Sequence, residues 1–202
     1  MAREYATMLG KKIEEVNLIV CHIDGGITVC AHKQGRMVDG NDGAGGDGPY
    51  TPTRLGSVAV IDLLDYLNDH SVEEVRNMCT RSGGFASHFN TSDTETVHKR
   101  MTEGDKQAER VYEGMIYQIC KYIGAMSTVL EGNVDGIVLG GGLVRYADLT
   151  DRIKQRCQWI APVHVFYEEF EHRGLALGAL RVLRGEEQAK TYTGIPVFTE
   201  FE

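Results

Sequence analysis

The sequence predicts an α/β domain built on one mixed sheet with helices packed on its faces. The order of elements carries this expectation. Three short strands open the chain as a meander, a long run of helices follows, and the last third alternates strand, helix, strand, helix. The expected order is β-β-β-α-β-α-β-α, a mixed five-stranded sheet. The chain has 202 residues, enough for one large domain or a compact pair, and 42% of them are hydrophobic, enough for a core.

Residues 1–15 read as a helix with Tyr5, Met8, Leu9 and Ile13 near one face. It has no clear start signal and resembles the tail of a longer element. "NLIVCHI" is an apolar run of the buried-strand kind, "ITVCAHK" alternates, "QGR" turns tightly and "RMVDG" supplies a third strand. Residues 40–54, "GNDGAGGDGPYTPTR", form a long glycine- and proline-rich loop, a kind that is usually functional or disordered. Helices are expected over 57–69 and 71–80, the second with Ser71 as N-cap and Glu74 closing a capping box. "SGGFASHFNTSD" reads as a loop and 93–103 as a helix. From 105 to 130, Val111, Met115, Ile119, Ile123, Met126 and Leu130 recur at three- and four-residue steps, the stripe of a core helix. "DGIVLGGGL" is a buried-type strand running into glycines. A helix at 147–159, the strand "APVHVFY", a helix at 172–184 and a polar tail complete the chain.

Net charge is -8, which argues against a nucleic-acid partner. The five cysteines, at 21, 30, 79, 120 and 157, show no CxxC spacing, so reduced thiols in a cytoplasmic protein are the simplest expectation. No run approaches the apolar length of a membrane span.

Several residues could carry chemistry. "GAGGDG" fits GxGxxG, but prolines follow it where a dinucleotide fold needs a helix, so that reading is set aside. "LGGGL" closes an apolar strand and precedes a helix; it is either a tight turn or a place where backbone approaches an anion. Arg54 ends the glycine loop, as a surface arginine or a phosphate clamp. His22 ends the first strand, as a packed residue or a ligand contact. Asp39 ends the third strand and could face the same space. Glu168, Glu169 and Glu171 follow the fifth strand, where carboxylates can hold Mg²⁺ or simply be solvated. Asp24 precedes a glycine pair, which suits a tight hairpin.

Together, "NLIVCHIDGGITVCAHKQGRMVD", "GDGPYTPTRLG", "GDKQAERVYEGMIYQICKYIGAM", "VDGIVLGGGL" and "WIAPVHVF…LALGALRVLRGEEQAK" resemble the butyrate kinases. That family groups with acetate kinase in the acetate/sugar kinase–Hsp70–actin superfamily. The resemblance covers essentially the whole chain in order, but only the C-terminal half of such an enzyme. It implies a ribonuclease H-like (actin-like ATPase) domain over 16–190, an interdomain-type helix over 1–15 and a tail over 191–202. It implies phosphoryl transfer between ATP and a short-chain carboxylate, with Mg²⁺, and no activity without an N-terminal half, which a separate chain could supply. A homo-oligomer through this domain is also implied.

The resemblance also assigns positions. His22 is expected near the transferred phosphate, in a turn with Gly25 and Gly26, and Arg54 is expected to stabilise charge on that phosphate. Gly141 and Gly142 are expected to hold the nucleotide, Gly84 and Asp93 to lie on the adenosine side, and Glu171 to be the Mg²⁺-associated acid. The chain departs from the pattern at Asp24 (a glycine in the family), Leu55 (serine), Glu95 (arginine) and Val144 (a small residue). Asp24 and Glu95 place negative charge where a phosphate is expected. The competing expectation is therefore a degenerate, non-catalytic nucleotide-binding or dimerisation module.

Overall fold

The computed structural model describes residues 1–168 and 170–195; Glu169 and the tail residues 196–202 lie outside the described residues. The five strands form one sheet. They are β1 (Asn17–Ile23), β2 (Ile27–Lys33), β3 (Arg36–Gly40), β4 (Gly136–Gly140) and β5 (Val163–Val165), ordered β3-β2-β1-β4-β5. The meander pairs antiparallel, and β4 joins β1 and β5 in parallel, so the sheet is mixed as the element order predicts.

Strand alternation divides the interior in two. Ile19, Cys21 and Ile23 of β1, with Ile137 and Leu139 of β4, point into the main core. Leu18 and Val138 point the other way, into a smaller cluster with Tyr5, Ala6, Ile13 and Val16. Both faces of the sheet are therefore covered. Burial on both sides explains why β1 and β4 read as continuous apolar runs rather than alternating ones.

The main face is covered by α6 (Lys106–Val129). It buries Val111, Met115, Ile119, Ile123 and Met126 as the spacing predicts, together with Tyr112 and Ile116. Asp105 caps it, its carboxylate accepting from the Gln107 and Ala108 amides. Flanking α6 are α5 (Thr94–Thr102) and α7 (Ala147–Cys157). The short helices α2 (Val60–Tyr66) and α3 (Val72–Asn77) stand outside, α3 with the expected Ser71–Glu74 capping box. The last helix, α8 (Glu171–Leu183), buries none of its residues.

The structure corrects three sequence expectations. Residues 1–15 are not one helix: α1 (Ala2–Met8) stops, Gly10 turns the chain at φ +69°, and a 3₁₀ turn follows at Ile13–Glu15. Tyr5 and Ala6 are buried in the smaller cluster on the sheet. The "SGGFASHFNTSD" segment is not all loop; it contains α4 (Gly84–Phe89), held by the fully buried Phe85. Strand β5 is limited to three residues of "APVHVFY".

Several carboxylates are held below the usual carboxylate range. For Asp105 the main cause is the Ala108 N–H bond, and for Asp93, the N-cap of α5, the Thr96 hydroxyl. Partial burial opposes ionisation of Asp135, but its bonds to Lys11 and the Asn17 amide outweigh that. Groups whose folded-state pKa is depressed stabilise the fold above their ordinary pKa, and lose that contribution as pH falls toward the folded value. The thermal midpoint is thus expected to hold steady near neutrality and to drop as pH is lowered past about 4. A midpoint flat down to pH 3 would contradict these assignments.

Candidate active site

In open α/β sheets, ligands gather at the carboxyl ends of the parallel strands. Here those ends belong to β1 and β4, where His22 lies opposite Gly140. A cleft of about 290 Å³ opens there, lined by His22, Asp24, Gly141, Gly142, Arg145 and Glu171 among others. His22 reaches it because the even-numbered residues of β1 face away from α6; its ring is half-buried, with Nε2 3.2 Å from Glu171 Oε1.

The glycines are required by geometry. Gly141 has φ +105°, and a Cβ there would collide with Ile23 backbone. Its φ and this close approach let the chain leave β4 directly beside the end of β1. A Cβ on Gly26 would come within 2.6 Å of Arg54 Nη1, so the guanidinium lies on the bare backbone of the hairpin turn. The Thr51 and Thr53 hydroxyls both donate to the Gly25 carbonyl oxygen, at 2.7 and 2.9 Å, fastening the arginine loop to that turn. Among the described residues, the Arg54 guanidinium makes no hydrogen bond or ion pair. It is a positioned cation with its donors uncommitted.

Asp24 does more than turn the chain. Its amide donates to the Gly26 carbonyl at 2.9 Å, closing the hairpin. Its carboxylate accepts from Gly25 N–H at 2.8 Å and from Gly142 N–H at 2.9 Å. The second bond spans the cleft floor and ties the β1–β2 turn to the glycines after β4. It also occupies an amide that an anion could otherwise use.

Of the residues expected from sequence, His22, Gly141, Gly142 and Glu171 line the cleft, and Gly25, Gly26 and Arg54 form the turn and loop beside it. Gly84 and Asp93 do not line it. Gly84, at φ +55°, packs against the Thr51 and Arg54 carbonyls, and Asp93 caps α5. Asp39 is exposed on the edge strand β3, its carboxylate taken by Gly40 N–H. Leu55 lines a small apolar pocket with Leu63, Tyr66 and Met78, and Val144 is buried in the main core.

Arg145 was not singled out from sequence, although it follows "LGGGL" closely. It lines the cleft, and Nη2 donates to the Tyr146 hydroxyl at 3.0 Å. Its pKa is pushed up first by that hydroxyl and, less strongly, by the charges of Glu95 and Asp24. The two acidic departures therefore share a nearby cation.

The sequence profile of the Acetokinase family matches residues 1–157. The chain belongs to the acetokinase family. It is 44% identical over 194 residues to butyrate kinase 1 of Clostridium acetobutylicum, covering 95% of this chain and 55% of that protein. A probable butyrate kinase of Clostridium botulinum (strain Eklund 17B / Type B) is also 44% identical, with the same coverage. This acetokinase-family chain thus spans about half the length of the curated relatives it matches. The crystal structure of Porphyromonas gingivalis acetate kinase matches with a TM-score of 0.74 at 18% identity, over 89% of this chain and 53% of that one. A propionate kinase from Francisella tularensis matches at 0.70 and 20% identity, over 83% of this chain and 50% of that one. The fold is therefore that of the acetate kinases, the actin-like ATPase architecture expected from sequence.

The residues present suit a nucleotide and a hard cation in part. Bare backbone at Gly25, Gly26, Gly141 and Gly142, with the Arg54 cation, suits phosphate; the Asp24 and Glu171 carboxylates offer oxygen ligands of the kind Mg²⁺ takes. The Gly25 and Gly142 amides, both already satisfied by the Asp24 carboxylate, do not fit a bound anion.

Among the described residues no helix is long and apolar enough to cross a membrane.

Proposed function

We propose that this chain is the C-terminal half of a butyrate kinase-like phosphotransferase, acting on ATP and a short-chain carboxylate to give acyl phosphate and ADP. The observation that carries this reading is the uncommitted Arg54 guanidinium, fastened over the Gly25–Gly26 turn beside the His22 cleft.

Phosphoryl transfer asks a protein mainly for positioning and charge neutralisation. Arg54 offers a planar fork of donors to the oxygens of the transferred phosphate. His22 holds an imidazole at the edge of the same space, steered by Glu171. Gly25, Gly26 and Gly141 let backbone approach without side chains, and Gly142 continues that surface toward the nucleotide. Gly84 and Asp93 support the adenosine side indirectly, through the packing of the Arg54 loop and the start of α5. Mg²⁺, when bound with Glu171 among its ligands, would neutralise phosphate charge. The pocket for the acyl substrate and the other wall of the cleft would come from an N-terminal half, as a separate chain or a preceding segment. The reading includes a cytoplasmic location and self-association through this domain.

A second reading, a degenerate nucleotide-binding or dimerisation module, is favoured by one observation: Asp24 takes the Gly142 amide.

Calorimetric titration with Mg-ATP tests the first reading, followed by acyl phosphate assays after mixing with a butyrate kinase N-terminal half. Binding is expected that EDTA weakens and that Arg54→Ala weakens about tenfold or more, losing charge-assisted hydrogen bonds. Activity is expected only in the mixture. No binding at millimolar Mg-ATP, with no activity in any mixture, would overturn the kinase reading in favour of the module.

A further inference from the structure

Away from the cleft, two thiols meet where α6 packs against α7. Glu113 and Cys120 lie two turns apart on one face of α6. Arg152, Arg156 and Cys157 occupy the last two turns of α7. Arg152 Nη1 and Arg156 Nη2 both donate to the Glu113 carboxylate, the second at 3.1 Å, and fix the two helices in register. That register brings the Cys120 and Cys157 thiols into hydrogen-bonding contact, with the Arg156 guanidinium beside Cys120. Cys157 is buried in the main core, while Cys120 is half-buried at its margin.

The two sulfurs differ in character. The Cys120 thiol is held below the ordinary thiol range, first by the hydrogen bond from Cys157 and then, against the effect of burial, by Arg156. The Cys157 thiol is pushed up, first by its bond to Cys120 and then by burial. Cys120 is thus the member that ionises and meets solvent, and Cys157 is the reserve thiol behind it. An accessible thiolate next to a second thiol is the arrangement of redox-responsive cysteines. The other cysteines are placed differently. Cys21 is fully buried on β1, and burial pushes its thiol up. Cys30 opposes Val20 on the far face of the sheet, and Cys79 lies near Gly46 of the glycine loop.

We propose that Cys120 and Cys157 form a peroxide-sensitive dithiol that closes reversibly to a disulfide between α6 and α7. The Cys120 thiolate attacks one oxygen of hydrogen peroxide. An S–O bond forms, the O–O bond breaks, and the departing hydroxide takes a proton to become water. The Cys157 sulfur then attacks the sulfenic sulfur of Cys120. The S–S bond forms as the S–O bond breaks, and the Cys157 proton leaves with the hydroxide as a second water. The two thiols lose two electrons, and peroxide gains them. Closure draws the sulfurs from contact to a bond of about 2.05 Å. It ties the principal core helix to α7 without using any residue of the cleft, so the dithiol stands apart from the kinase reading.

The test is exposure of the intact, reduced chain to hydrogen peroxide, followed by thiol titration in denaturant and non-reducing peptide mapping by mass spectrometry. Two of the five thiols are expected to disappear, with one peptide pair joined through Cys120 and Cys157, and dithiothreitol should restore both. In Cys157→Ser the bridge should be lost, and dimedone should trap Cys120 as its sulfenic acid. In Cys120→Ser neither a bridge nor an adduct is expected at Cys157. Arg156→Gln, a change at an exposed residue, should slow oxidation at neutral pH about threefold or more by lowering the thiolate fraction. Circular dichroism checks that the serine variants are folded, and the map of the parent chain does not rest on them. Five free thiols after peroxide, a bridge mapped to another pair, or a bridge that persists in Cys120→Ser would overturn the dithiol. An unchanged rate in Arg156→Gln would overturn the activation of Cys120.

Discussion

Gly84→Val is expected to be the most damaging single substitution in the molecule, lowering the thermal midpoint by about 10 °C, or roughly 2–5 kcal/mol. The residue is at φ +55°, where a β-branched side chain is strained whatever the space. Space is absent as well: a Cβ would overlap the Thr51 carbonyl oxygen and crowd that of Arg54. Thr51 accepts the Phe85 amide through that same oxygen and donates its hydroxyl to Gly25. Displacing it therefore loosens α4 and the Arg54 loop together. Thermal unfolding followed by circular dichroism is the measurement, and a midpoint within 2 or 3 °C of the parent would refute this account.

Asp24→Gly should act in the opposite direction on ligands. In metal-free buffer it is expected to raise affinity for ADP about tenfold. A carboxylate some 4 Å from a phosphate costs on the order of 4 kcal/mol at an effective dielectric near 20, and counterions and solvent reduce that to the smaller effect expected. The substitution also frees the Gly25 and Gly142 amides for an anion. With Mg²⁺ present the sign should reverse, because the carboxylate then attracts a cation that the phosphate also favours. Calorimetric titrations with ADP, in EDTA and in Mg²⁺, read both signs. Equal affinity of parent and variant in EDTA would mean that Asp24 does not contend with phosphate.

Much of the fold is legible in local sequence because local forces build it. The three- and four-residue steps from Val111 to Met126 define α6, and Ser71 with Glu74 marks the start of α3. The apolar run of β1 reads directly as a strand buried on both faces. Where one distant contact outweighs local preference, the sequence misleads. Gly84 and Ser87 look like loop, yet Phe85, buried against Tyr112, draws them into α4, with Gly83 and Asn90 as its caps. Gly10 looks neutral within an apolar stripe, yet its left-handed backbone ends α1.

The candidate site divides the same way. His22 and the glycines announce themselves by position at strand ends. The bond from Gly142 to Asp24 joins residues far apart in the chain, and only the parallel pairing of β1 with β4 makes them neighbours. Arg145 is similar. Its value comes from the cleft it borders and the acids it faces, which its flanking residues do not disclose.

The pairing of β1 with β4 has a consequence for how the chain acquires its structure. Leu18 finds its partner at Gly136, so the central strand of the sheet waits for most of the polypeptide to be made. Until then β1 presents an apolar, hydrogen-bond-hungry edge on a nascent hairpin. Contacts of such long sequence separation slow folding, because the loop must be closed before the pairing rewards it. The emerging chain is thus most vulnerable to misassociation in the interval between synthesis of its meander and synthesis of its fourth strand, a window in which protection by a chaperone has the most to offer.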